Sequence, residues 1–341
     1  MKTKRLLVIV MCLLMVFALA ACGKSTDTPA PAAPAGSSEA PAPAPEPEAD
    51  APLVGISVPN NPTGWVGAVQ WISKVTADSL GLNYVLVTSE NPNDQANKID
   101  ELIQQGCEYI VLFPDNDELA VAAQKIMDAG IVLINFDRTL GSTTPDYYLA
   151  GNNEGMGVIG AQYISEKLGD EGGNVVIMNI PNYGEIFTER VNGAKSVFDT
   201  LDNITVIGEY ASDNGAPETV LPIMADILTA NPKIDAIYST DDEMSQGILQ
   251  AIKEAGRTDI KVVTGGGGAQ SYFALMDEYP DIWVSSQTYA PYMMADAIKL
   301  VPKLIAGEAV PARTIIPPVN VDRDNYKQYM ADNNITSDAP Y

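Results

Sequence analysis

From Leu53 onward the sequence alternates short apolar runs with longer amphipathic stretches, and this rhythm restricts the fold more than any other feature. Leu53–Val58 reads as a buried strand. Val66, Val69, Ile72 and Val75 follow at helical spacing, and Gly81 closes that helix. Tyr84–Val87, Tyr109–Phe113, Ile131–Asn135 and Tyr147–Ala150 continue the series, with helical stripes between the first of them ending at Gly106 and Gly130. The rhythm then restarts. Asn174–Asn179, Thr205–Gly208, Ala236–Ser239, Lys261–Thr264 and Ile282–Ser285 are strands, with helices at about 155–168, 188–201, 217–230 and 243–256. Strands separated by helices of this length form parallel sheets covered on both faces. Two such runs predict an α/β chain of two doubly wound lobes. No repeat is sharp enough to indicate duplication.

Open parallel sheets bind ligands beyond the carboxyl ends of their strands. The residues found there are Asn61 and Trp65 after the first strand, Asp137 and Arg138 after the fourth, Arg190 beyond the first strand of the second run, Asp241 after Ala236–Ser239, and Gln287 after Ile282–Ser285. Carboxylate, guanidinium, amide and indole together suit a neutral polyhydroxylated ligand. Each hydroxyl both donates and accepts, and an indole face packs on the C–H side of a sugar ring. Singly, each has a plainer reading. Asp241 or Asp242 suits a helix N-cap, and Asp137-Arg138 a surface ion pair. The run Gly265–Gly268 is neither a Walker loop nor a dinucleotide fingerprint. It lets backbone approach a ligand, or simply turns. Asp241-Asp242-Glu243 lacks the spaced ligands of a calcium loop, so no metal is expected, and no cofactor.

The chain of 341 residues has no histidine, which excludes Ser-His-Asp and Cys-His nucleophiles and His-ligated metals. A formal charge of −24 argues against nucleic acid. Ahead of the lobes, Lys2, Lys4 and Arg5 precede a 16-residue apolar run, Leu6–Ala21, too short for a typical membrane span and suited to a signal-peptide core. It ends Leu19-Ala20-Ala21-Cys22-Gly23, which resembles a bacterial lipobox. Residues 1–22 are therefore expected to be a signal with Cys22 as the lipidated residue. Removing residues 1–21 would take the formal charge to about −27. Residues 23–52, rich in Ala and Pro, are expected to be a disordered tether. With Cys12 removed and Cys22 lipidated, Cys107 has no disulfide partner and reads as a small buried residue.

The lobes resemble the sugar-binding subunits of bacterial ABC importers, the ribose/galactose/xylose type of periplasmic binding protein (type I). The resemblance spans roughly residues 53–320. It is carried by Asn60-Asn61-Pro62, Asp137-Arg138, Thr188-Glu189-Arg190-Val191-Asn192-Gly193, Thr229-Ala230-Asn231-Pro232, Asp241-Asp242-Glu243-Met244 and Gly307-Glu308. It implies two lobes joined by a three-crossing hinge, residues 53–151 with 288–316 and residues 152–287 with 317–341. It implies sugar contacts from Asn61, Asp137, Arg138, Arg190, Gln287 and Asp241. Family members place ring-sandwiching aromatics where this chain has Thr63 and Gly64, so that part falls to Trp65. A further aromatic is replaced by Asn214-Gly215, and a hydroxyl-binding aspartate by Gly266. The implied protein is a monomer and not an enzyme, anchored outside the cytoplasm to the cell membrane. It would capture a sugar or polyol for an ABC permease. The alternatives are presentation of ligand to a chemoreceptor or sensor kinase, and an exported carbohydrate-active enzyme built on paired carboxylates such as Asp137 and Asp241.

Overall fold

The first strand, β1 (Val54–Pro59), is buried at every residue, as a strand covered on both faces must be. The structure, a computed structural model, describes residues 51–61, 63–333, 335 and 341, so the signal segment, Cys22 and the tether up to residue 50 lie outside it. After β1 come α1 (Gly64–Ser79), β2 (Tyr84–Ser89), α2 (Pro92–Gln104), β3 (Tyr109–Leu112), α3 (Ala120–Asp128), β4 (Val132–Phe136) and β5 (Tyr147–Gly151). The second run is α4 (Asn153–Leu168), β6 (Gly173–Asn179), α5 (Glu185–Phe198), β7 (Ile204–Ala211), α6 (Pro217–Ala230), β8 (Ala236–Ser239), α7 (Asp242–Glu254), β9 (Val262–Gly267), α8 (Gln270–Phe273) and β10 (Trp283–Thr288). The chain then forms α9 (Met293–Ile298), α10 (Leu300–Ile305), β11 (Arg313–Ile316), β12 (Asn320–Asp322) and α11 (Tyr326–Asp332).

Two six-stranded sheets result, ordered β11-β5-β4-β3-β1-β2 and β12-β10-β9-β8-β6-β7. Pairing is parallel apart from β10 with β12. This is the two-lobed, doubly wound architecture that the strand–helix rhythm predicts. The chain passes between the sheets after β5, after β10 and after β11, giving three crossings. Hydrogen bonds bind the crossings together: Asn152 N–H donates to the Ile316 carbonyl at 3.1 Å, and Thr288 N–H to that of Val319 at 2.9 Å.

Each sheet is covered on both faces. In the first, Val54, Ile56 and Val58 pack with Val69 and Ile72 of α1 and with Met294 and Ile298 of α9. Ile110 and Leu112 face the other way, onto Ile99, Leu102 and Ile126. Fully burying each such side chain is worth about 1.5–3 kcal/mol. Gly81, Gly106 and Gly130 end their helices with φ of 62°, 80° and 75°, as expected of closing glycines. Cys107 is free and buried, and burial raises its thiol pKa.

The glycine run departs from expectation. Gly265, Gly266 and Gly267 continue strand β9 in register with Ser286, Gln287 and Thr288 of β10, so only Gly268 turns. Pairing with β10 overrides the weak strand propensity of glycine.

One close approach positions a site residue. Helices α4 and α5 meet through Gly157 and Gly193. A β-carbon on Gly157 would lie 2.6 Å from Ala194 N and overlap the Arg190 carbonyl, and one on Gly193 would overlap the carbonyl of Glu154. Substituting Gly193→Ala gains about 1 kcal/mol of helix propensity but overpacks backbone against backbone, at a cost of about 1–3 kcal/mol. A lower urea midpoint is expected, and an unchanged or higher one would show that the two helices part without cost.

Candidate functional site

The carboxyl ends of both sheets face the crossings, and the residue just past β10 is Tyr289. Three of the side chains marked out by sequence meet it. Its phenol donates a 2.5 Å hydrogen bond to Asp137 Oδ1. Its backbone carbonyl accepts from Trp65 Nε1–H at 2.6 Å. The guanidinium of Arg190 stands 5.2 Å from its ring centroid. Tyr289 also packs against Gly151 at the first crossing, where a β-carbon would overlap the ring. It therefore touches residues carried by both sheets.

Asp137 follows β4 with φ 67°, the left-handed region that asparagine and aspartate enter most readily after glycine. The turn is held by Tyr148, whose phenol donates to the Asp137 carbonyl at 2.6 Å. Burial pushes the Asp137 carboxyl pKa upward, opposed by the Tyr289 hydrogen bond and by the charges of Arg138 and Arg190. Burial and the Asp137 charge drive the Tyr289 phenol pKa up, so the proton stays on the phenol.

Trp65, the second residue of α1, is half-buried. Its indole stacks on Phe136 at 6.0 Å and 4° and meets Phe113 edge-on at 5.7 Å and 77°. Arg190, 5% exposed, lies over Phe187 as well as Tyr289. Its Nε donates to Asn153 Oδ1 at 3.0 Å and its Nη1 to the Thr240 carbonyl at 2.8 Å. Among the described residues it forms no direct salt bridge. Asp137 and Asp241 act on it through space. Asp241 caps α7, accepting from Met244 N–H at 3.0 Å, so the N-cap reading is realised. Burial raises the Asp241 carboxyl pKa.

The remaining predicted residues bond elsewhere. Asn61 is exposed, with its amide oxygen accepting from Thr63 N–H at 3.1 Å. Arg138 does not pair with Asp137. It lies 4.9 Å over the Phe113 ring and donates to the Asp115 carbonyl. Gln287, 1% exposed, donates to Asn320 Oδ1 at 2.7 Å, while its own Oε1, beside Gly160 of α4, is buried without a hydrogen-bond partner among the described residues. At Gly266 a β-carbon would lie 2.8 Å from the Thr240 carbonyl and 3.0 Å from the methyl of Met156. The space next to that glycine is thus filled from within the protein. The three acidic residues at the start of α7 diverge: Asp241 caps, Asp242 is fully buried, and Glu243 is exposed.

Sequence reasoning passed over Tyr289, and offered Asp242 only as an alternative N-cap, a part that Asp241 takes. Tyr289 lies at a strand end and obeys the same rule as the others, two positions past Gln287. Asp242 had no signal separating it from its neighbours. Its Oδ2 accepts from Gly268 N–H, Ala269 N–H and Ser286 Oγ–H, each at 2.8 Å, while Oδ1 is buried and has no hydrogen-bond partner among the described residues. A surface hollow of about 410 Å³ between Gln250, Lys253 and Tyr279 contains none of these residues.

Burial lifts the Asp242 carboxyl from an ordinary 3.8 to about 7. The folded state then binds this proton more tightly than the unfolded state. The contribution to stability is full below about pH 4 and is lost as pH rises through about 7. Unfolding free energy measured between pH 5 and pH 8 should fall more steeply in the wild type than in Asp242→Asn. Parallel pH profiles would contradict the assignment.

A family model described as "Periplasmic binding protein domain" matches residues 54–309. The chain is 26% identical to the ribose import binding protein of Bacillus subtilis (strain 168), over 69% of this chain and 76% of that one. It is 29% identical to a xylitol-binding protein of Mycolicibacterium smegmatis, over 71% of this chain and 70% of that one. Among solved structures, a periplasmic ribose ABC transporter protein from Conexibacter woesei superimposes with a TM-score of 0.75 at 20% identity, covering 84% of this chain and 96% of the other. An ABC transporter periplasmic solute binding protein from Actinobacillus succinogenes with bound D-allose gives 0.71 at 22% identity, covering 82% and 100%. At these identities the structural likeness speaks to the fold.

Proposed function

We propose that this chain, which belongs to the periplasmic binding protein domain family, captures a neutral sugar or polyol between its two lobes and delivers it to an ABC importer. It does so from outside the cytoplasm, held to the membrane by lipid on Cys22. The observation that carries the reading is the convergence of Trp65, Asp137 and Arg190 on Tyr289 at the hinge. An acceptor, a planar donor and an indole stand together, as recognition of a hydroxylated ring requires. The charges near Arg190 already offset one another through space, which favours a neutral ligand over an ion. The names of the relatives support the same class, since they include import or binding proteins for ribose, xylose, allose and xylitol.

The chemistry is binding without reaction. Asp137 is engaged by a phenol and Asp241 by a helix end, so neither is a free acid or base aimed at a bond. Ligand contacts made from both sheets favour the closed arrangement by differential affinity, with the three crossings as hinge.

The test is a thermal-shift panel of ribose, xylose, allose and xylitol on the domain from residue 51 onward. A binding sugar at a hundred times its Kd adds about 2.7 kcal/mol of apparent stability. Asp137→Asn should weaken that sugar about tenfold, the order expected for one charged hydrogen bond, and should also lower the melting temperature of the free protein, because it alters the buried bond to Tyr289. No shift with any sugar or polyol would sink the reading, and undiminished affinity in Asp137→Asn would remove Asp137 from the site.

A further inference from the structure

Tyr341 lies far from the rest of the site in sequence and inside it in space. Its half-buried ring packs against the core of the first sheet and the core of the second. A β-carbon on Gly267 would overlap its phenol oxygen, so that oxygen rests directly on the backbone at the carboxyl end of β9. Asp241, Asp242, Glu243 and Arg190 all act electrostatically on the phenol, and burial raises its pKa well above the ordinary value. One of those four, Arg190, belongs to the proposed sugar site, and Asp241 acts on it through space.

A phenol offers what a sugar hydroxyl offers, one donor and an acceptor, and its ring offers an apolar face.

We propose that Tyr341 is an internal occupant of the interlobe site, so that a ligand binds by displacing it. This rests on the interlobe cleft being the ligand site proposed above. A competitor tethered to the same chain lowers the binding-competent fraction, and apparent Kd rises in inverse proportion to that fraction. If the ring is in place nine-tenths of the time, removing it tightens ligand binding about tenfold.

The experiment compares wild type, Tyr341→Ala and Tyr341→Phe by calorimetric titration with the panel sugars and by melting of the free proteins. Tyr341→Ala should bind about tenfold tighter, and Tyr341→Phe, which keeps the ring but not the hydroxyl, should fall between. The free Tyr341→Ala protein should melt lower by about 2–4 °C through loss of packing between lobes. Unchanged or weaker binding in Tyr341→Ala overturns the proposal, and weaker binding would make the ring a wall of the site. If no sugar binds any of the three proteins, the sugar reading falls by itself. The free proteins then decide this one, and equal melting temperatures overturn it.

Discussion

The hydrogen bond from the Tyr289 phenol to Asp137 is the contact on which the rest of the site depends. A carboxylate only 6% exposed must be paired or neutralised. Asp137 meets that requirement with a donor that comes from the crossing after β10, a part of the chain 152 residues away. The same tyrosine receives the indole N–H of Trp65 through its carbonyl and stands beside the guanidinium of Arg190. One residue at the hinge therefore sets the relative placement of an acceptor, a donor and an aromatic face that arise from both sheets.

Electrostatics explain why the cluster is stable although charged. Arg190 is buried yet has no carboxylate at contact distance among the described residues. It is held by an amide oxygen, a carbonyl and two aromatic rings, with Asp137 and Asp241 compensating at longer range. Removing one member of such a set leaves the others exposed to uncompensated burial, so truncations here should cost more than any single contact suggests. The α4–α5 contact through Gly157 and Gly193 belongs to the same design, because it fixes the backbone that carries Arg190.

Much of the fold was legible in the sequence. Apolar runs buried on both faces announced the parallel strands, and the strand-end rule singled out Trp65, Asp137 and Arg190, which lie together at Tyr289, and Asp241, which caps α7. What was not legible depends on tertiary partners. Asp241 and Asp242 are adjacent and identical in type, yet one caps α7 and the other accepts three bonds from the β9–α8 turn and Ser286. Gly265–Gly267 read as a loop until β10 supplied a partner strand. The four-residue β11 and three-residue β12 are too short to carry a period, and their sheets are chosen by the hinge crossings. Tyr289 follows Gln287 by two positions, and only the contact of its phenol with Asp137 marks it out.

The most direct measurement is a double-mutant cycle between Tyr289→Phe and Asp137→Asn, read as unfolding free energy. If the phenol–carboxylate bond organises the hinge, the two losses are not additive. The coupling should then be about 1–3 kcal/mol, within the range for residues sharing a buried polar network. Additivity within about 0.5 kcal/mol would mean that the two groups act independently and that the bond does not hold the site together.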